Sequence, residues 1–173
     1  MKKFNMFLVL LFALWILAIP EIGQAQQSVC RQQGSRQVTL RTSAALTATA
    51  NGSTIGQLQD CKEAMFILDV TTASLGTDDA LNVYLQTTPD GTNYTDVVAF
   101  TQVVGSTVQR IARWTSRTVP TDPEGALEAA ALTAGTVEQG PAGRLWRVRS
   151  VVSDSGTTGN SSWTYSVVGY FRD

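Results

Sequence analysis

The sequence contains no histidine. That removes the Ser-His-Asp and Cys-His nucleophilic sets and the zinc sites that rely on imidazole. Cysteine is scarce as well, with only Cys30 and Cys61 present. In an oxidising compartment two cysteines are expected to pair, which leaves no thiol nucleophile. Such a bond would contribute roughly 3 to 4 kcal/mol through chain entropy. Charged residues make up 16% of the chain and the net charge is −1, so no long-range attraction to nucleic acid or to an anionic membrane is expected. Beyond Lys2 and Lys3, Lys62 is the only lysine, and every other basic side chain is arginine. Neither a P-loop nor a dinucleotide-binding glycine pattern occurs.

One long apolar run is present, at the start. Lys2 and Lys3 precede an apolar stretch from Met6 to Ile19, Pro20 breaks it, and Gly23 and Ala25 follow as small residues. These are the parts of a secretory signal peptide in their usual order. The stretch is shorter than the roughly 20 residues a membrane-spanning helix needs. Cleavage is expected after Ala25, leaving 26–173 as a single domain with no membrane span in the mature form. Gln27, Ser28 and Val29 do not match the residues expected before a lipidated cysteine, so Cys30 is assigned to the disulfide.

The rest of the chain alternates in the manner of strands. Strands are expected at Gln37 to Thr42, Ala44 to Ala50, Ile55 to Leu58, Leu81 to Gln86, Val97 to Val104 and Val108 to Trp114, with Asn51-Gly52 as a turn. The run from Ala64 to Thr71 is almost continuously apolar and reads as a strand buried on both faces. Leu145 to Val152 places Trp146 and Val148 on one face and Arg147 and Arg149 on the other. Ser162 to Phe171 places Trp163, Tyr165, Val167 and Phe171 together. Between 118 and 143 the composition shifts to Ala, Gly, Pro and Glu. Asp122-Pro123-Glu124 and Gly135 would bound a short helix there, with an ordered long loop as the alternative. About eight strands at regular spacing make this an all-β chain, an antiparallel β-sandwich of jelly-roll-like form.

The polar residues suggest few sites. Asp90, Asn93 and Asp96 could offer oxygen ligands to calcium, although self-contained turn hydrogen bonding is the preferred reading and no cofactor is expected. Carboxylates at Asp78, Asp79, Asp90 and Asp96 could in principle be paired for glycoside hydrolysis. Solvated turns explain them more simply, so the chain is read as non-enzymatic. Arg147 and Arg149, with Arg110, Arg113, Arg117 and Arg144 in the same half of the chain, could meet an acidic partner, a sulfated glycan or a neighbouring subunit. Trp114, Trp146 and Trp163 belong in a core, whereas Tyr84 and Tyr94 are the better candidates for an exposed platform.

The runs LDVTTASLGTDDALNVYLQTTPDGTNYTDVVAFTQV and RLWRVRSVVSDSGTTGNSSWTYSVVGYF resemble small β-sandwich structural proteins of tailed phages, of the head-decoration type. TPDGTNY also resembles a short Asp-box hairpin. The resemblance implies a virion-surface or array component and transfers no catalytic residue. A leader peptide departs from that pattern, because capsids assemble in the cytoplasm, and it points toward an extracellular or cell-surface relative. The expected function is therefore a secreted structural or interaction protein that self-assembles or attaches to a larger protein array. An extracellular carbohydrate-binding or adhesin module is the alternative.

Overall fold

The structure is a computed structural model that describes residues 30, 34–76, 79–105, 107–116, 132–141, 143–153 and 161–173. The expected leader at 1–25, the helix start at Asp122-Pro123-Glu124, Asp78 and Arg117 lie outside the described residues. Among the described residues ten strands are formed: β1 (Arg36–Leu46), β2 (Ala50–Asn51), β3 (Ile55–Gly56), β4 (Glu63–Ser74), β5 (Ala80–Thr88), β6 (Thr95–Ala99), β7 (Val108–Thr115), β8 (Thr136–Val137), β9 (Leu145–Ser153) and β10 (Ser162–Arg172). They make two antiparallel sheets. One has the order β1-β10-β4-β7; the other has the order β2-β9-β5-β6-β8, with β3 also on β9.

That order has a simple origin in the pairing. β1 pairs with β10, β2 and β3 with β9, β4 with β7, and β5 with β6. The chain therefore behaves as one long hairpin whose arms pair along their length and then roll up. The pairs β10·β4 and β5·β9 complete the two sheets. This is a jelly roll. β2 and β3 form one interrupted edge strand and β8 is a short addition, so eight strands account for the roll and the expected number holds at that level.

Four local expectations are corrected. First, β1 runs without a break to Leu46, where two shorter strands were expected, because register shifts on either side of Arg41 absorb the irregularity. Second, Asn51-Gly52 is not a hairpin turn. Asn51 pairs with Arg149 and the Gly52 N–H donates to the Val148 carbonyl at 2.7 Å, continuing along β9. A Cβ on Gly52 would sit 3.3 Å from that carbonyl oxygen, so the glycine serves close approach to β9. Third, β4 is buried on one face only: Ala64, Phe66, Leu68 and Val70 face inward, while Met65, Ile67 and Asp69 are half-buried on the outer face. Its apolar run conceals an ordinary alternation. Fourth, β6 stops at Ala99, and Val103 forms an isolated bridge with Leu81.

Elsewhere the alternation reads through. Leu81, Val83 and Leu85 of β5 are buried, as are Trp146 and Val148 of β9 and Trp163, Tyr165, Val167 and Phe171 of β10. Within the 118–143 stretch, the described part holds β8, which pairs with β6 through Val98 and Ala99.

The core is fastened at one end and in the middle. Cys30 and Cys61 are bonded and buried, with Cα atoms 5.1 Å apart, which ties the segment before β1 to the entry of β4. In the middle, the Trp146 ring reaches from β9 to Phe66, Trp114 and Phe171 of the opposite sheet, with centroids 5.6, 5.4 and 6.1 Å away. Gly169 of β10 leaves the space these rings fill, since a Cβ there would lie 2.5 Å from the Phe171 ring and 3.2 Å from the Phe66 ring. Gly169→Ala is therefore expected to lower the unfolding free energy by about 1 to 3 kcal/mol, as overpacking does. Urea denaturation monitored by tryptophan fluorescence measures it, and an unchanged midpoint would refute this account of the core.

Candidate functional site

Tyr84, Tyr94, Arg147 and Arg149 converge on the outer face of the larger sheet. Tyr84 of β5 lies opposite Arg149 of β9, and Gln86 lies opposite Arg147. The Arg147 guanidinium stacks 3.6 Å from the centre of the Tyr94 ring, and Arg149 lies 5.1 Å from that of Tyr84. Tyr94 enters from the β5–β6 hairpin, and its hydroxyl shares a 3.1 Å hydrogen bond with Thr54 Oγ1 in the β2–β3 connection.

Beneath these side chains lies a polar chain. Arg147 Nε donates to Gln86 Oε1 at 2.7 Å, and Gln86 Nε2 donates to Asp96 Oδ1 at 2.7 Å. The other Asp96 oxygen lies 3.5 Å from Arg149 Nη1. Asp96 is only 3% exposed, and Gln86 is buried with it. Burial of a carboxylate is costly unless it is paired and hydrogen-bonded, and here it receives both kinds of partner. Two arginines against one aspartate leave the cluster with a net positive charge. Stacking on tyrosine restricts the guanidinium planes, a geometry suited to arginine and not to lysine.

The calcium candidates are separated by this arrangement. Asp96 belongs to the sheet cluster, whereas Asp90 and Asn93 hold the hairpin turn. Asp90 Oδ1 accepts hydrogen bonds from the Thr88 hydroxyl at 2.7 Å and from the backbone N–H groups of Thr92 and Asn93 at 2.8 and 2.9 Å. Its Oδ2 accepts from the Asn93 side-chain amide at 2.8 Å. Gly91 completes the turn in the left-handed region, with φ of 81°. The Thr88 hydrogen bond first, then those from Thr92 and Asn93, push the Asp90 carboxyl well below its ordinary value. Among the described residues, no group of three or more acidic or cysteine side chains is placed to hold a metal ion.

The remaining candidates are dispersed. Asp79 is buried, and its Oδ2 accepts from the Ser161 hydroxyl and the Gly76 N–H, joining the β4–β5 turn to the entry of β10. Arg110 and Arg113 are on β7 in the smaller sheet, facing opposite ways, so neither joins Arg147 and Arg149. Arg144 is exposed just before β9. Trp114, Trp146 and Trp163 are all buried and offer no sugar platform.

Sequence reasoning missed three features. Gln86 and Thr54 join the cluster only through strand pairing and a cross-connection contact, which no local pattern encodes. On the opposite side of the molecule, the outer face of the smaller sheet carries an apolar row. Val168 pairs with Ile67, and Ile67 pairs with Ile111, so the three stand side by side across β10, β4 and β7. Met65 and Tyr170 form the next row. Ile111 is 59% exposed. Its signal was present in the sequence as the second face of β4, hidden by the assumption that both faces were covered.

These features define the class of protein at hand: a disulfide-tied jelly-roll sandwich with a fixed arginine–tyrosine cluster on one outer face and an apolar row on the other. No protein-family model matches the chain, and no curated protein is significantly similar to it in sequence.

Two outcomes test the geometry. Asp96→Ala leaves the Gln86 amide without its acceptor and Arg149 without its ion-pair partner, and is expected to lower stability by about 1 to 3 kcal/mol in chemical denaturation; no loss would mean the cluster is not structural. For Asp90, a lowered folded-state value means stability that is full above the ordinary carboxyl value of 3.8 and lost as the pH falls below it. The stability advantage of the wild type over Asp90→Asn, followed by urea midpoints across acid pH, is expected to shrink below that value. A constant difference would overturn the assignment.

Proposed function

We propose that the protein is an exported, non-enzymatic β-sandwich that works through its surface, by self-assembly or by attachment to a larger protein array. The observation that carries this reading is the outward-facing row of Val168, Ile67 and Ile111 in cross-strand register on the smaller sheet, the first two half-buried and Ile111 exposed. A contiguous apolar strip on a sheet face is the kind of surface that protein partners cover. The jelly roll is an architecture of capsid and lectin domains, and the likeness to phage decoration proteins agrees with the first of these uses; both are fold-level analogies. The disulfide suits an oxidising compartment, as an exported protein requires.

The alternative, an extracellular carbohydrate-binding or adhesin module, draws on Tyr84 and Tyr94 beside Arg147 and Arg149. Arg147 already occupies one face of the Tyr94 ring, which leaves less aromatic surface for a sugar.

Light scattering and negative-stain microscopy of the purified protein over a wide concentration range separate the two. Concentration-dependent oligomers or ordered arrays are expected. A strict monomer that never joins an assembly and binds polysaccharides on a glycan array would overturn the assembly reading in favour of the adhesin.

A further inference from the structure

We propose that the partner covering the outer face of the four-stranded sheet is a second copy of the same chain, packed face to face about a two-fold axis that runs along the Val168–Ile67–Ile111 row. This rests on the assembly reading above and specifies its contact.

The argument begins with the edges. A β-sandwich has two ways to self-associate, by strand addition at an edge or by stacking of faces. Both edges of the smaller sheet are obstructed. β1 carries register shifts around Arg41, whose guanidinium lies 4.3 Å from the centre of the inward-facing Tyr165 ring. β7 carries Arg110 on its inward side, level with Leu68 of β4. Inward charges and bulges on edge strands block edge-to-edge pairing. The end of β7 is also occupied: Gly140 N–H donates to the Thr115 carbonyl, and the Gln139 side chain bonds Thr115 N and the Arg113 carbonyl. For the smaller sheet, face stacking is the remaining route.

The register then makes the face self-complementary. On its outer side β4 presents Met65, Ile67 and Asp69 in turn, and β7 presents Arg113, Ile111 and Gln109 at the same levels. A two-fold rotation about the middle level sets Val168, Ile67 and Ile111 against their own copies. It exchanges the level of Met65 and Arg113 with that of Asp69 and Gln109. Arg113 of one copy then stands one strand away from Asp69 of the other, and symmetry repeats the pair on the far side of the axis. In an isologous contact, opposite charges that come close under the rotation favour the pairing, and Arg113 and Asp69 come within one strand of each other. Neither Asp69 nor Arg113 enters an ion pair among the described residues. Tyr170 comes opposite Ser166, which adds no like-charge conflict.

The size of the face sets the strength. Four strands spaced about 4.8 Å apart, over about eight residues each, cover about 500 Å² per copy. A standard stable interface takes about 800 Å² per partner. The pairing is therefore weak when isolated and gains when many copies are held in one array, where effective concentration multiplies modest contacts.

Sedimentation equilibrium and light scattering of the purified protein test the proposal, with wild type, Ile111→Arg, Asp69→Arg and Arg113→Asp compared over a wide concentration range. Circular dichroism and thermal melting confirm that each variant retains the fold. Each single variant is expected to weaken self-association by about tenfold or more, because Asp69→Arg and Arg113→Asp place like charges near each other across the axis and Ile111→Arg sets two new charges against each other on it. An equimolar mixture of Asp69→Arg and Arg113→Asp is expected to restore association, since each variant then supplies the charge the other lacks. Undiminished association of the folded single variants overturns this face while leaving self-assembly standing. Association lost in the single variants but not regained on mixing overturns the two-fold geometry. A wild type that remains monomeric throughout overturns the pairing outright, and the broader reading then stands or falls on attachment to an array of another protein.

Discussion

Trp146 is the contact on which the two sheets depend. It belongs to the larger sheet, yet its indole packs among Phe66, Trp114 and Phe171 of the smaller one, mostly edge to face. Such pairs contribute about 0.5 to 1.5 kcal/mol each beyond the apolar area they bury. Phe66 and Phe171 also meet one another at 5.4 Å, so the contacts form a closed group and not a chain. Everything nearby accommodates it. Gly169 withholds a side chain where the rings need room, and the Cys30–Cys61 bond anchors the chain just before β4, the strand that carries Phe66.

Arginine takes a second structural part, and it gives physical sense to a composition in which lysine is almost missing. Three arginines lie over three of the four tyrosines: Arg41 on Tyr165, Arg147 on Tyr94 and Arg149 on Tyr84. A planar guanidinium can stack and still present hydrogen-bond donors at its rim, which an ammonium cannot do. The buried Tyr165 hydroxyl shows the effect of the core around it. Burial pushes its ionisation upward, against the opposing influence of its hydrogen bond with Ser150 and the charge of Arg41.

The two outer faces consequently differ in kind. On the larger sheet, Asp96, Gln86 and the stacked arginines engage one another, so the polar groups are already paired within the molecule. On the smaller sheet, the cross-strand row of Val168, Ile67 and Ile111 faces outward with Ile111 exposed, and the strand edges beside it carry inward arginines and register shifts. That contrast is a property of the sheets as assembled and not of any strand alone.

The sequence by itself determined the strands that alternate cleanly, the all-β class, the cysteine pair and the inward placement of Trp146 and Trp163, because side-chain direction repeats every second residue and needs no knowledge of neighbours. It also placed Arg147 and Arg149 on a shared face, for the same reason. It misjudged Ala64 to Thr71, where apolar residues on an outer face are indistinguishable in sequence from a second buried side, and Asn51-Gly52, where a turn-forming dipeptide lies flat along β9. Only the tertiary structure decided which strands are neighbours. Pairing between distant segments brought Tyr84, Tyr94 and Asp96 to the arginines and aligned Val168 with Ile67 and Ile111, because register is set by the packing of whole sheets, over separations that no local pattern can encode.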